Sequence, residues 1–108
     1  MENDRLLAAL GLCRKAGKLK MGFDAAAGAA GRGAPLVVTA SDIADRTKRN
    51  ITRVCGETVK ILPIDRTSGQ IEQAVGKRFV VAAVDDANLA QLILTHTGSD
   101  KEAQENDH

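Results

Sequence analysis

The residues of this sequence that could act together in chemistry lie in one short segment between two predicted helices. Lys18 and Lys20 are two residues apart, so on an extended backbone both side chains leave on the same side. Gly22 then allows a close turn before helix-forming residues begin. Free N–H groups at a helix start, with ammonium groups beside them, bind phosphate. The segment therefore predicts a phosphate-binding site, although a glycine-bounded loop with solvated lysines has the same pattern.

Residues that could catalyse a reaction are few and are not grouped. His96 lies on the apolar stripe of a predicted helix, and His108 lies in the tail. Asp85 and Asp86 form an acidic pair that helix capping explains. The sequence contains no nucleophile-elbow, P-loop, zinc-protease or dinucleotide-binding motif. We therefore expect no catalytic residues, no metal ligands, no cofactor and no small-molecule substrate.

Cysteine and aromatic residues are scarce, which argues against two further kinds of site. Cys13 and Cys55 lack CxxC spacing and a nearby histidine cluster, and each occupies an apolar position of a helical pattern. We therefore predict that both are reduced core residues. The chain has no tryptophan or tyrosine and only two phenylalanines, too few for a platform on which single-stranded nucleic acid stacks.

Charge is distributed unevenly along the chain. The net charge is +1, but residues 99–108 contain four acidic residues and one lysine. Residues 5–98 contain 14 cations and 8 anions, a net charge of +6. A basic body with an acidic tail indicates a polyanionic partner, such as a nucleic acid.

No segment predicts membrane insertion or secretion. The longest apolar runs are far too short to span a bilayer. Glu2 and Asp4 place acidic residues where a signal peptide would be basic. We therefore expect a cytoplasmic protein that does not bind membranes.

Helical and strand patterns alternate along the chain and predict a single domain over residues 1–98. Apolar residues recur with helical spacing in the segments 4–15, 24–32, 46–55, 68–75 and 87–97. Short β-branched runs predict buried strands at residues 36–40, 58–62 and 79–84. This alternation predicts a sheet with helices on both faces. Residues 99–108 are polar and lack periodicity, so we predict a disordered acidic tail.

The starts of the predicted helices carry recognisable capping residues. Asn3 is expected to cap the first helix and Asp45 the third. Thr67 is followed three residues later by Gln70, which is the pattern of a capping box at the fourth helix. Each cap would satisfy N–H groups that have no partner within the helix.

The second and third predicted helices have unusual surfaces. The second is almost entirely alanine and glycine, and each interior glycine costs about 1 kcal/mol relative to alanine. Close approach of another element or of a ligand would offset that cost. The third is expected to place Ile51, Val54 and Cys55 toward the core. Its cations are expected to lie outward, where a solvated face is the simpler interpretation: Arg46, Lys48, Arg49 and Arg53.

Several short motifs, in order and at matching spacing, resemble the kink-turn-binding ribosomal protein superfamily typified by archaeal large-subunit ribosomal protein L-seven-Ae. Within it, the chain is most similar to the small bacterial L-seven-Ae-like ribosomal proteins. The resemblance covers roughly residues 6–98. Its markers are residues 16–22 (AGKLKMG), Arg32 and Gly33 before the strand at 36–40, Ser41 and Asp42 after it, and residues 70–77.

The resemblance implies a fold and a binding site. The fold is a three-layer α/β/α sandwich with a small, mostly buried sheet of four strands, the first of them short, at residues 18–21. In the family, the start of the second helix and a nearby loop contact RNA. These regions map onto the predicted RNA-binding residues: Lys18, Lys20, Gly22, Phe23, Asp24, Arg32, Gly76, Lys77 and Arg78.

The family's helix motif is only partly present. It typically reads Gly-x-Asn-Glu with a lysine three residues later, and this chain matches it only at Gly22. Asp24, Ala25 and Gly28 stand at the other three positions. Since asparagine and glutamate contact base edges in the family, their replacement predicts RNA binding through phosphates with weak preference for a standard kink-turn.

We therefore predict a small, cytoplasmic, non-catalytic RNA-binding protein that is ribosome-associated or binds structured RNA, which could be ribosomal RNA. The phosphate backbone would be bound at the start of the second helix and at the basic loop. The alternative is a protein-interaction adaptor of the same fold that has lost specific kink-turn binding, with its alanine- and glycine-rich helix packed on a protein partner.

Overall fold

The computed structural model describes the backbone of residues 4–106 and the side chains of residues 4–97. Five helices and four strands alternate through this part of the chain. The helices are α1 (Arg5–Lys15), α2 (Phe23–Gly31), α3 (Asp45–Cys55), α4 (Ser68–Val75) and α5 (Ala87–Asn106). The strands are β1 (Leu19–Met21), β2 (Leu36–Thr39), β3 (Lys60–Pro63) and β4 (Val81–Val84).

The four strands form one mixed sheet in the order β1-β4-β2-β3. β2 and β3 are parallel, whereas β4 is antiparallel to both of its neighbours. The two central strands, β2 and β4, are buried at every residue, as their continuous apolar sequences predict. β1 is short, as the family resemblance implied.

Helices cover both faces of the sheet, and side chains alternate between two cores. Val38 contributes to a core that includes Leu10 and Ile93, whereas its neighbour Val37 contributes to a second core around Ile51. We call α1, α4 and α5, which surround the first core, the first layer. We call α2 and α3 the second layer. The α/β fold with helices on both faces of a four-stranded sheet is confirmed.

Two predictions about burial are wrong, both at the margin of the fold. The strand predicted as buried at residues 58–62 is β3, an edge strand whose Lys60 and Pro63 are exposed. It pairs with β2 alone. Val54, predicted to face the core, is 44% exposed. The second layer has two helices among the described elements, so no third helix covers the far side of α3.

The ends of α1 and α5 also differ from the predictions. Asp4, rather than Asn3, caps α1, and its carboxylate accepts a hydrogen bond from the Leu7 N–H at 3.1 Å. Asn3 lies outside the described residues. α5 continues past Gly98 to Asn106, because residues 101–105 (KEAQE) are strong helix formers. The disordered tail at residues 99–108 stays a prediction, because residues 107–108 and the side chains of residues 98–108 lie outside the described part of the chain.

The two cysteines are buried and free, as predicted. Burial, together with the nearby negative charge of Asp86, raises the pKa of the Cys13 thiol to about 11. Burial also raises the pKa of Cys55. Both side chains therefore act as small apolar residues, one in each core.

Candidate nucleic-acid interface

The strand directions bring four loops to one end of the sheet. β1, β2 and β3 run in one direction and β4 runs in the other, so three carboxyl ends meet the amino end of β4. We call this end the carboxyl edge; it comprises residues 22–24, 40–44, 64–67 and 78–80. The opposite end, the amino edge, comprises residues 16–18, 32–35, 56–59 and 85–86. Open α/β sheets bind ligands beyond the carboxyl ends of their strands.

Gly22 holds the start of α2 against the start of β4. Its φ of 96° and ψ of 160° belong to a region that other residues rarely adopt. Its N–H donates to the Val81 carbonyl at 2.9 Å. Phe23 is half-buried, packed against the second core, and Asp24 is exposed in the first turn of α2. The corner therefore combines a fixed glycine with one carboxylate.

The predicted basic loop after α4 contributes one partly neutralised cation and one free of ion pairs. Gly76 ends α4 in the left-handed conformation, and the Arg14 side chain donates to the Val75 carbonyl beside it at 2.8 Å. Arg78 forms an exposed ion pair with Glu72 at 3.2 Å, an arrangement worth little in stability. Lys77 is exposed and takes part in none of the ion pairs found in the described part of the chain.

The other three predicted cations lie away from this corner. Lys18 precedes β1, and its carbonyl accepts from the Asp85 N–H at 2.8 Å, which places it at the amino edge. The Lys20 ammonium points back along β1 and donates to the Gly17 carbonyl at 3.3 Å. Arg32 follows the last residue of α2, also at the amino edge. The structure therefore divides the predicted site residues between the two edges, and their contacts with RNA stay a prediction.

Asp42, one of the family-like markers, joins two loops of the carboxyl edge. Its carboxylate accepts from the Ser68 N–H at 2.9 Å and from the Ser68 hydroxyl at 2.7 Å. These hydrogen bonds, with a smaller contribution from the charge of Arg78, lower the pKa of Asp42. Asp42 therefore has a structural role, because it holds the loop after β2 against the start of α4.

The second layer presents two helix starts without side-chain caps. α2 begins after Gly22 and α3 after Ala44, and neither cap residue makes a side-chain hydrogen bond to its helix. Asp45, predicted to be the cap of α3, is instead its first residue. Both helices start at the carboxyl edge and pack side by side, so their N–H groups and the positive ends of their dipoles lie at the same edge.

The first layer has the opposite arrangement, with a side-chain cap at each helix start. Asp4 caps α1, and the Thr67 hydroxyl accepts from the Gln70 N–H at 3.1 Å in the predicted capping box, which is confirmed. Asp86 accepts from the Leu89 N–H at 2.9 Å at the start of α5. Polar groups that remain available at helix starts are therefore concentrated in α2 and α3.

The four cations of α3 that were predicted to lie outward are all exposed: Arg46, Lys48, Arg49 and Arg53. Sequence reasoning identified these residues but did not find that α3 starts beside α2. The sequence did contain a signal for the uncapped start of α3: Ala44 stands at its N-cap position, where the three helices of the first layer have Asp or Thr.

Other kinds of site are not seen in the described part of the chain. No group of three or more histidine, cysteine, aspartate or glutamate side chains there could hold a metal ion. No helix in that part combines the length and apolarity needed to cross a membrane.

Comparison with solved structures places this architecture among known folds. A protein of unknown function from Bacillus halodurans is 25% identical and superposes with a TM-score of 0.79, over 87% of this chain and 97% of that one. The 15.5kD RNA-binding protein of Giardia lamblia is 22% identical, with a TM-score of 0.68 over 88% and 83% of the two chains. No protein-family model and no curated protein matches the sequence. The chain therefore shares its fold with an RNA-binding protein.

Proposed function

We propose that this protein is a non-catalytic, cytoplasmic RNA-binding protein of the kink-turn-binding ribosomal type, which binds structured RNA at the carboxyl edge and is ribosome-associated. The observation that carries the proposal is the pair of uncapped helix starts of α2 and α3 at one edge. N–H groups and dipole ends of this kind bind phosphate. The RNA-binding protein from Giardia with the same fold supports the same class of ligand.

The carboxylates at these helix starts limit what the site recognises. Asp24 can accept hydrogen bonds but cannot donate them, and Ala25 offers no polar side chain. Phosphate contacts give affinity without sequence preference. We therefore expect binding to structured RNA in which a standard kink-turn is only weakly preferred over a plain duplex.

The division of cations between the two edges provides a direct test of where RNA binds. Lys77→Gln with Arg78→Gln removes two charges from the loop that leads from α4 into the carboxyl edge, and Lys18→Gln with Lys20→Gln removes the same number from β1 and the amino edge. We expect the first pair to weaken binding to a kink-turn hairpin more than the second, in titrations between about 50 and 200 mM salt. Salt-independent affinity of the unmodified protein would refute the electrostatic basis of the proposal. Crosslinking in cells, followed by sequencing, would identify the RNA.

One observation favours the alternative, a protein-interaction adaptor. A Cβ atom added at Gly31 of α2 would meet nothing within 4 Å, and one at Gly28 only the Arg32 guanidinium at 3.5 Å. No neighbour within the described fold requires these glycines, so an external helix could pack there. Co-purification with a protein in the absence of RNA would favour this alternative.

A further inference from the structure

We propose that the outer face of α3 is a second phosphate-contacting surface, which receives the double-stranded flank of an RNA bound at the carboxyl edge. The inference rests on the proposed RNA-binding function and adds a surface outside the loops that the family resemblance indicates. We call Arg46, Arg49 and Arg53, spaced three and four residues apart on one stripe of α3, the α3 basic face. Lys48 lies off this stripe, beside the loops that follow β2 and β3.

The α3 basic face has an excess of charge that the fold does not balance. Four of the eleven residues of α3 are cationic and one, Asp45, is acidic. The ion pairs found among residues 4–97 join Asp4 to Arg66 and Glu72 to Arg78, so none involves α3.

Arg53 lies in the last turn of α3, where the helix dipole favours a cation, but other features of this stripe are unfavourable for the isolated helix. Arg46 lies in the first turn, where the helix dipole disfavours positive charge. Arg46 and Arg49, and likewise Arg49 and Arg53, are spaced three and four residues apart, so like charges face each other along one stripe. A bound polyanion relieves both effects, whereas solvent alone does so only partly.

The neighbouring helix leaves room for a nucleic-acid backbone. Apart from Asp24 in the first turn, the outer positions of α2 are Ala25, Gly28 and Gly31, none with a side chain larger than a methyl group. The space above both glycines is open except for the Arg32 side chain. The cations of α3 therefore lie next to a helix, α2, whose outer side chains are small. Both helices begin at the carboxyl edge, where the first RNA contacts are proposed.

The shape of this surface favours a duplex over a single strand. Unpaired bases are bound by stacking on exposed aromatic side chains, but Phe79 is buried and Phe23 is half-buried in the core. A-form duplexes are recognised mainly through phosphates and shape. A straight helix of about 16 Å with cations along its length suits that mode of binding.

The test compares two variants with the same change in charge. Arg49→Gln with Arg53→Gln alters the α3 basic face, and Arg5→Gln with Lys15→Gln alters exposed positions of α1 in the other layer. Arginine, lysine and glutamine have similar helix propensities, so both variants should fold; circular dichroism and thermal unfolding check this. The probes are a 20-base-pair RNA duplex and a kink-turn hairpin with a long stem, measured by fluorescence anisotropy across a salt series.

We expect the α3 variant to bind both probes roughly 10- to 100-fold more weakly near 0.1 M salt, and the magnitude of its salt slope to fall by about two. The α1 variant should change much less in both respects. An uncharged variant, Gly31→Gln, should weaken binding several-fold by occupying the open surface of α2 while leaving the salt slope unchanged.

The outcomes separate this inference from the function on which it rests. Salt-dependent binding by the unmodified protein, with equal effects of the α3 and α1 variants, would overturn the α3 surface and leave the carboxyl-edge site standing. Failure of the unmodified protein to bind either RNA would overturn the proposed function, and this inference with it.

Discussion

The two helix layers of this protein differ in the size of the side chains that they bury and in the capping of their helix starts. In the first layer, large side chains such as Leu10, Ile71 and Ile93 are fully buried, and side-chain caps satisfy the helix starts. In the second layer, α2 packs through Ala26, Ala29 and other small residues, and both helix starts lack side-chain caps.

This difference suggests that the first layer mainly stabilises the fold and that the second layer mainly provides the groups that bind RNA. Burial of large apolar side chains and capping both stabilise the folded state, so we expect the first layer to contribute more to the free energy of folding than the second. The second layer keeps N–H groups and cations available at the surface, and those are the groups that a phosphate backbone requires. Four expected outcomes test this contrast, taken from the largest effect to the smallest.

The largest expected effect concerns RNA selectivity at the start of α2. Asp24→Asn with Ala25→Glu restores the two side chains of the family motif, and a bidentate contact to a base edge is worth about 1–3 kcal/mol. We expect the preference for a kink-turn over a plain duplex to increase by roughly 2–6 kcal/mol if both contacts form. Competition binding at fixed salt measures this. Strong kink-turn preference in the unmodified protein would mean that other residues contact the bases.

Core substitutions should affect the two layers unequally. Leu10 has no exposed surface, and we expect Leu10→Ala to lower the free energy of unfolding by about 2–5 kcal/mol through lost burial and the resulting cavity. Ala29→Gly in α2 should cost about 1 kcal/mol, chiefly through helix propensity. Urea unfolding monitored by circular dichroism provides both values. Equal losses would contradict the assignment of stability to the first layer.

Caps can be removed from one layer and added to the other. Thr67→Ala breaks the capping box of α4 and should cost about 1 kcal/mol of stability. Ala44→Ser should stabilise α3 by up to about 1 kcal/mol, because Ala44 already has extended N-cap geometry. The serine would also occupy an N–H group, so we expect weaker RNA binding. Unchanged RNA affinity of the Ala44→Ser variant would argue against phosphate at the start of α3.

The smallest expected effect is on the pH dependence of stability. The Arg66 hydrogen bond lowers the pKa of Asp4, and the Ser68 hydrogen bonds lower that of Asp42, both from 3.8. A depressed carboxyl pKa gives stability that is present above the unfolded value and is lost as pH falls through the folded value. Stability should therefore decline below pH 3.8. Asp42→Asn should flatten part of this decline in thermal unfolding, with Asp65→Asn, an exposed aspartate without such bonds, as the control.

Sequence patterns over a few residues correctly predicted those parts of the fold whose structure depends on neighbouring residues. The Thr67 and Gln70 capping box depends on residues three apart, and it is present as predicted. The buried strands β2 and β4 follow from short apolar runs that remain apolar in any arrangement. β3 has a similar run, but its burial depends on its place in the sheet, which local pattern does not contain. The exposure of Val54 has the same origin.

The sequence by itself determined the order of helices and strands, the two-sided sheet, the reduced cysteines of the core and the excess of cations on α3. These follow from periodicity and composition, which act over a few residues. The tertiary structure alone decided that β4 runs against its neighbours, and this places Lys18 and Arg32 at one edge and Gly22 and Arg78 at the other. It also placed the uncapped starts of α2 and α3 together, because the packing of distant segments, rather than spacing along the chain, fixes which helix ends meet.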